Sequence, residues 1–98
     1  MHVLTHPEAR FEFKDVVAYY ARQNPGLILR FKDAVQAAFQ RILESPKIFS
    51  VLSRGGVRRC LTRTFPYSVI YVVKPGLILI LALAHGRREP EYWKSRTR

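Results

Sequence analysis

The sequence is short of sulfur, of acid and of long apolar runs. Its 98 residues contain one cysteine, Cys60, so no internal disulfide can form and no zinc site can be built from thiolates. The three histidines, His2, His6 and His85, show no metal-ligand spacing among themselves. No metal and no cofactor is expected. Asp and Glu number 7 against 17 Lys and Arg, a formal net charge of +10. The longest apolar run, Leu77 to Ala84, falls far short of the roughly 20 residues that a membrane span needs. The N-terminus lacks an apolar signal-like stretch, so no secretory leader is expected. A reducing cytoplasm is the expected location, with no membrane partner.

Hydrophobic residues make up 48% of the chain, enough to fold one core, and residues 1–98 are read as a single domain. The chain opens on Met1–Thr5, which suits an edge strand. Thr5-His-Pro-Glu8 predicts a helix start, with Thr5 and Glu8 as a capping box and Pro7 in the first turn. Ala9, Phe13, Val16, Val17 and Tyr20 recur at helical spacing, predicting an amphipathic helix over Pro7–Gln23. Asn24-Pro25-Gly26 breaks it, with Asn24 as the expected cap of a second helix and Pro25 at that helix's first position. Ile28, Phe31, Val35, Ala38, Phe39 and Ile42 form its stripe, and Ser45-Pro46 ends it. So short a break predicts an antiparallel helical hairpin.

After Pro46 the period changes. Residues 47–56 read as a loop. Val57–Thr64, Tyr67–Val73 and Leu77–Ala84 read as strands, separated by the turn-forming Phe65-Pro66 and Lys74-Pro75-Gly76. The third of these strands is apolar throughout, which predicts cover on both faces and an inner place in the sheet. The polar tail after Gly86 is expected to hold a short ordered turn at Pro90–Trp93. The fold class is α+β in two layers: an N-terminal strand, an α-helical hairpin, then a three-stranded antiparallel meander, β-α-α-β-β-β.

The charge is uneven. Residues 1–49 carry seven Lys/Arg and five Asp/Glu, net +2, whereas residues 50–98 carry ten and two, net +8. Alternation along the first meander strand puts Arg59 and Arg63 on one face and Arg58 on the other. Reversal at Lys74-Pro75-Gly76 brings the end of the third strand beside the start of the second. His85 should then lie near Tyr67, and Arg87 and Arg88 near the Phe65-Pro66 turn. Guanidinium forks there would suit phosphate or carboxylate. Trp93 is read both as packing the tail onto the sheet and as a contact residue. Cys60 is read as a small buried residue.

Specific motifs span nearly the whole chain: Pro7-Glu8-Ala9, Tyr19-Tyr20, Asn24-Pro25-Gly26-Leu27 with Arg30-Phe31, Ser45-Pro46, Val57-Arg58-Arg59, Phe65-Pro66-Tyr67 with Tyr71, and His85-Gly-Arg-Arg-Glu-Pro-Glu-Tyr-Trp93. Together they resemble the RelE/ParE superfamily of bacterial type II toxin–antitoxin toxins, and the closing motif resembles its ParE-like, plasmid-stabilisation branch. The resemblance implies a RelE/ParE-like fold and a growth-inhibiting toxin neutralised by a cognate acidic antitoxin, with a toxin–antitoxin hetero-oligomer as the stored form. It implies DNA gyrase and replication as the leading target. The alternative it offers is a metal-independent messenger-RNA endoribonuclease acting on the ribosome. Whether the chain is an enzyme turns on that choice.

For the ribonuclease the expected catalytic groups are His85 as base or acid, Tyr92 as acid, and Arg59, Arg63, Arg87 and Arg88 as stabilisers of phosphorane charge. Residues 54–73 contain arginine but no lysine, unlike ribosome-dependent members, which favours the gyrase reading. For target or antitoxin binding the expected residues are Arg58, Arg59, Arg63, Arg87, Arg88 and Trp93, with Leu27, Leu29, Ile48 and Phe49 as apolar anchors in a groove between the hairpin and the sheet edge. A plain nucleic-acid-binding module is the third class, and it rests on charge alone.

Overall fold

A computed structural model describes residues 1–53 and 55–97; Arg54 and Arg98 lie outside them. In chain order the elements are β1 (His2–Thr5), α1 (Pro7–Gln23), α2 (Leu27–Glu44), β2 (Ser50–Val51), β3 (Val57–Leu61), β4 (Tyr67–Lys74) and β5 (Leu77–His85). A 3₁₀ turn at Lys94–Thr97 follows. The strands form one mixed sheet in the order β1-β5-β4-β3-β2. β1 lies parallel to β5, and the other pairs are antiparallel. The N-terminal strand, hairpin and meander arise as the sequence implies, and β5 is an inner strand. The segment read as a loop over 47–56 contributes one more strand, the two-residue β2, on the far edge.

α1 starts where its pattern predicts, but its cap differs. Thr5 is committed to β1, and it is His6 whose Nδ1 accepts the Glu8 N–H at 3.1 Å. Pro7 occupies the first helical position, where a missing N–H costs nothing. α2 begins two residues later than expected. Asn24 does not cap it; its Oδ1 accepts the Gly26 N–H at 3.2 Å and shapes the connecting turn. The helices are antiparallel, as the ring pairs show: Phe13 meets Phe39 at 5.8 Å and Tyr20 meets Phe31 at 5.8 Å.

The hairpin covers one face of the sheet. Phe31, Val35, Ala38 and Ile42 of α2 pack with Ala9, Cys60, Tyr67, Val69, Tyr71, Ile78, Ile80 and Leu83. Edge-to-face aromatic contacts join Tyr20, Phe31, Phe65 and Tyr67 at 5.5–5.7 Å, which favours ring edges against ring faces. Cys60 is fully buried, and burial pushes its thiol up from its ordinary value against the lowering by Arg41 and Arg63. The opposite face is covered by the chain's own tail, with Trp93 against Val57, Ile70, Val72, Leu81 and Ala82.

A bulge in β5 shifts the phase with which its side chains alternate between the two layers. Ile70 pairs with Ala82, yet Tyr71 pairs with Ile80, so Leu81 is extra. Leu81 and Ala82 both join the tail-covered layer, while Ile80 and Leu83 join the helix layer. The β4–β5 reversal depends on Gly76 at φ +68, a left-handed backbone that glycine adopts without penalty.

Candidate functional site

The meander places the predicted groups near one end of the sheet. Tyr67 pairs with His85 in register, and their rings meet edge to face at 5.2 Å. The Gly86 N–H donates to the Pro66 carbonyl at 2.8 Å, bringing the start of the tail onto the Phe65-Pro66 turn. The tail then doubles back over the face opposite the helices. Between tail and strands lies a cavity of about 410 Å³, whose lining includes Arg59, Ser68, His85, Arg88, Tyr92 and Trp93. Arg59 reaches it because it pairs with Ile70 and shares Ile70's face.

His85 presents a defined tautomer. Its Nδ1 accepts the Arg87 N–H at 2.9 Å, so in the neutral ring the proton sits on Nε2. The free nitrogen is thus a hydrogen-bond donor, suited to an anion. Arg88 lies over the Tyr92 ring, its guanidinium carbon 4.0 Å from the centroid. Tyr92 differs from its expected role as a free acid in where its hydroxyl goes: it donates to Glu12 Oε2 of α1 at 2.6 Å. Burial, then the Glu12 contact, push this phenol well above its ordinary range.

The remaining sequence-selected residues divide. Arg58 points to the helix layer and donates to the carbonyls of Lys47 and Phe49 at 2.9 and 2.8 Å, tying the loop after α2 to the sheet. Arg63 lies past the end of β3, exposed on the turn before Phe65, and is not among the residues lining the cavity; nor is Arg87, which is also exposed. Trp93 is only 4% exposed, held in the tail-covered layer, with an edge on the cavity. The proposed apolar anchors do not form one patch. Leu27 and Leu29 sit at the start of α2, and Ile48 and Phe49 follow its end, a helix length of about 25 Å away. Leu29 and Ile48 are exposed, whereas Phe49 packs on the core.

Two features escaped the sequence reading. One is Glu12 of α1. Its Oε1 accepts from Arg96 Nη1 at 2.8 Å and from the Leu83 N–H at 3.1 Å. Arg96 also donates to the Leu81 carbonyl at 3.1 Å. β1 has ended by this point, its last contact being the His6 N–H on the Ile80 carbonyl at 2.8 Å. Glu12 and Arg96 therefore satisfy strand-edge groups of β5 that no neighbouring strand reaches. No local spacing signals a pair 84 residues apart.

The other is a groove of about 540 Å³ between the helices, lined by Phe13, Val17, Phe31 and Val35 with Lys14 and Lys32 on its sides. Periodicity assigned these apolar residues to the core. Yet α1 buries fully only Ala9, and Phe13, Val16, Val17 and Tyr20 stay half-buried. The signal was present in the lysines interleaved with the apolar stripe.

Among the described residues, no group of His, Cys, Asp and Glu could hold a metal ion, and no helix is long and apolar enough to cross a membrane. A search of curated proteins finds no match. Among solved structures the chain is similar to one titled "Chromosomal ParDE TA system from P. aeruginosa", with a TM-score of 0.76 and 17% identity. That match covers 87% of this chain and 95% of the other, and at this identity it shows a shared fold. Residues 3–90 match the family model described as the ParE toxin of the type II toxin–antitoxin system parDE, and the chain belongs to that family.

Proposed function

We propose that this ParE-family chain is held inactive by a small acidic antitoxin and, once released, inhibits DNA gyrase. The observation that carries the antitoxin half is the unsealed seam between the helices. An apolar groove flanked by Lys14 and Lys32 suits the apolar face of an amphipathic segment with acidic flanks. The net charge of +10 would speed capture of such a segment. Hydrogen exchange of the toxin with and without its antitoxin tests this. Protection should rise over residues 13–18 and 31–36, and unchanged protection there sinks the groove as the docking site.

The gyrase half rests on family membership, on the closing motif and on the lysine-free stretch 54–73. Purified toxin should inhibit supercoiling or stabilise cleaved DNA, and antitoxin should reverse the effect. No inhibition at micromolar toxin, from a preparation whose induction arrests growth, removes this half.

One observation favours an endoribonuclease as the second reading: Arg59, His85 and Arg88 share a cavity. In such a reaction a ribose 2′-hydroxyl passes its proton to water as its oxygen attacks the adjacent phosphorus, the P–O5′ bond breaks, and the departing oxygen takes a proton from water. The Nε2–H of His85 would donate a hydrogen bond to the phosphorane, with Arg59 and Arg88 balancing its charge. The Tyr92 hydroxyl is already engaged by Glu12 and would not serve. Mapping RNA 5′ ends after induction separates the readings, since only the second yields cuts within translated codons.

A further inference from the structure

The tail that walls the cavity is fastened from the opposite layer of the molecule. Glu12 belongs to α1 and does not line the cavity, but its carboxylate receives three donors. Oε1 takes Arg96 and the Leu83 N–H, and Oε2 takes the Tyr92 hydroxyl. The Arg96 and Glu12 side chains are only 12% and 16% exposed, so this is a partly desolvated, charge-assisted cluster. It fixes the far end of the Tyr92 ring. The near part of that ring lies on the cavity wall with Arg88 stacked on it at 4.0 Å. Stacking of this kind leaves the guanidinium N–H groups free for an in-plane acceptor.

The cavity is furnished for an oxyanion. Arg59, Arg88, His85 and Ser68 line one space. Glu89 and Glu91 also line it, but the one ion pair among the described residues joins Arg96 to Glu12. Neither carboxylate neutralises Arg59 or Arg88 at bonding distance.

We propose that Glu12 is a positioning residue for an oxyanion site of phosphate size in this cavity, acting through Tyr92 on Arg88. The inference rests on the second reading above, in which Arg59, His85 and Arg88 meet a phosphate. Without the Glu12 anchor the Tyr92 ring loses its fixed end, and Arg88 spends binding energy on ordering itself. Arg59, held on a strand, is unaffected.

The test is an NMR titration of the full chain with inorganic phosphate at constant ionic strength, following the arginine Nε–Hε signals. In the wild type, Arg59 and Arg88 should shift along one binding curve while Arg10 and Arg22 of α1 do not. Tyr92→Phe keeps the ring and the Arg96–Glu12 pair but removes the hydroxyl. It and Glu12→Gln should each weaken phosphate binding by about fivefold or more, and the double variant should be no weaker than the weaker single, since both cut the same link. Trp93 fluorescence should stay native in Tyr92→Phe, showing that the tail remains docked. If Arg59 and Arg88 move no more than Arg10 and Arg22, the cavity is not an oxyanion site and the inference falls with it. If they move as expected but Tyr92→Phe binds phosphate like the wild type with a docked tail, the cavity stands and the role given to Glu12 is wrong.

Discussion

The two faces of the sheet are built by different means. One is covered by a helical hairpin whose rings and branched side chains interlock with β3, β4 and β5. The other is covered by a single pass of irregular chain, anchored by Trp93 and by the Glu12–Arg96 cluster. The helix face gains from close packing and loses heavily when an atom group is removed. The tail face is thin, and between its anchor points it leaves room for the Arg59, His85 and Arg88 cavity. Stability is concentrated on one side of the sheet, and accessible polar chemistry on the other.

Substitutions on the helix face should test this contrast most severely. Phe31→Ala removes a ring that touches Tyr20, Phe65 and Tyr67 and is 1% exposed. A loss of about 3–5 kcal/mol in chemical denaturation is expected. A loss under about 1 kcal/mol would mean that the hairpin is not the main source of stability.

High pH should also act through the helix face. Burial pushes the Tyr71 phenol from its ordinary 10 up to about 12, with Arg58 opposing, and its hydroxyl donates to the Pro46 carbonyl at 2.7 Å. A raised folded-state value means that the native state holds this proton more tightly than the unfolded chain does. The contribution is intact below pH 10 and is lost as pH rises from about 10 towards 12. Denaturation midpoints should fall across that window, and Tyr71→Phe should flatten the fall. An unchanged slope in that variant would assign the alkaline loss elsewhere.

Adjacent arginines offer the finest comparison, because β3 sends them to opposite faces. Arg58→Ala gives up two bonds to carbonyls of the 47–49 loop and should cost about 1.5–3 kcal/mol. Arg59→Ala should stay within about 0.5 kcal/mol of the wild type, yet reduce growth arrest if the cavity meets the target. Equal stability losses in the pair would erase the distinction between the faces.

Much of this was legible in the sequence because it depends on near neighbours. The α1 boundaries, the Gly76 reversal and the all-apolar β5 are each written in a few consecutive residues. So is the opposition of Arg58 and Arg59, which follows from a period of two. The His85–Tyr67 contact was reachable because a hairpin converts local turn position into pairing. Alternation does not place Arg63 on a face of the sheet, because β3 ends at Leu61. The His6 cap was missed because Thr5 is the better capping residue in isolation, and pairing with β5 claims Thr5 first. Hydrophobicity alone groups Leu27 and Leu29 with Ile48 and Phe49, whereas the length of α2 separates them.

Apart from the short β2, the sequence by itself determined the element types, their order and the concentration of positive charge in the second half, since propensity, turn chemistry and composition are local properties. Only the tertiary structure decided which cations face a common cavity, that the seam between the helices stays open, and that a carboxylate in α1 fastens the tail. Those outcomes depend on the bulge at Leu81 and on contacts across up to 84 residues, where many pairings of similar local cost compete and packing of the whole chain selects one.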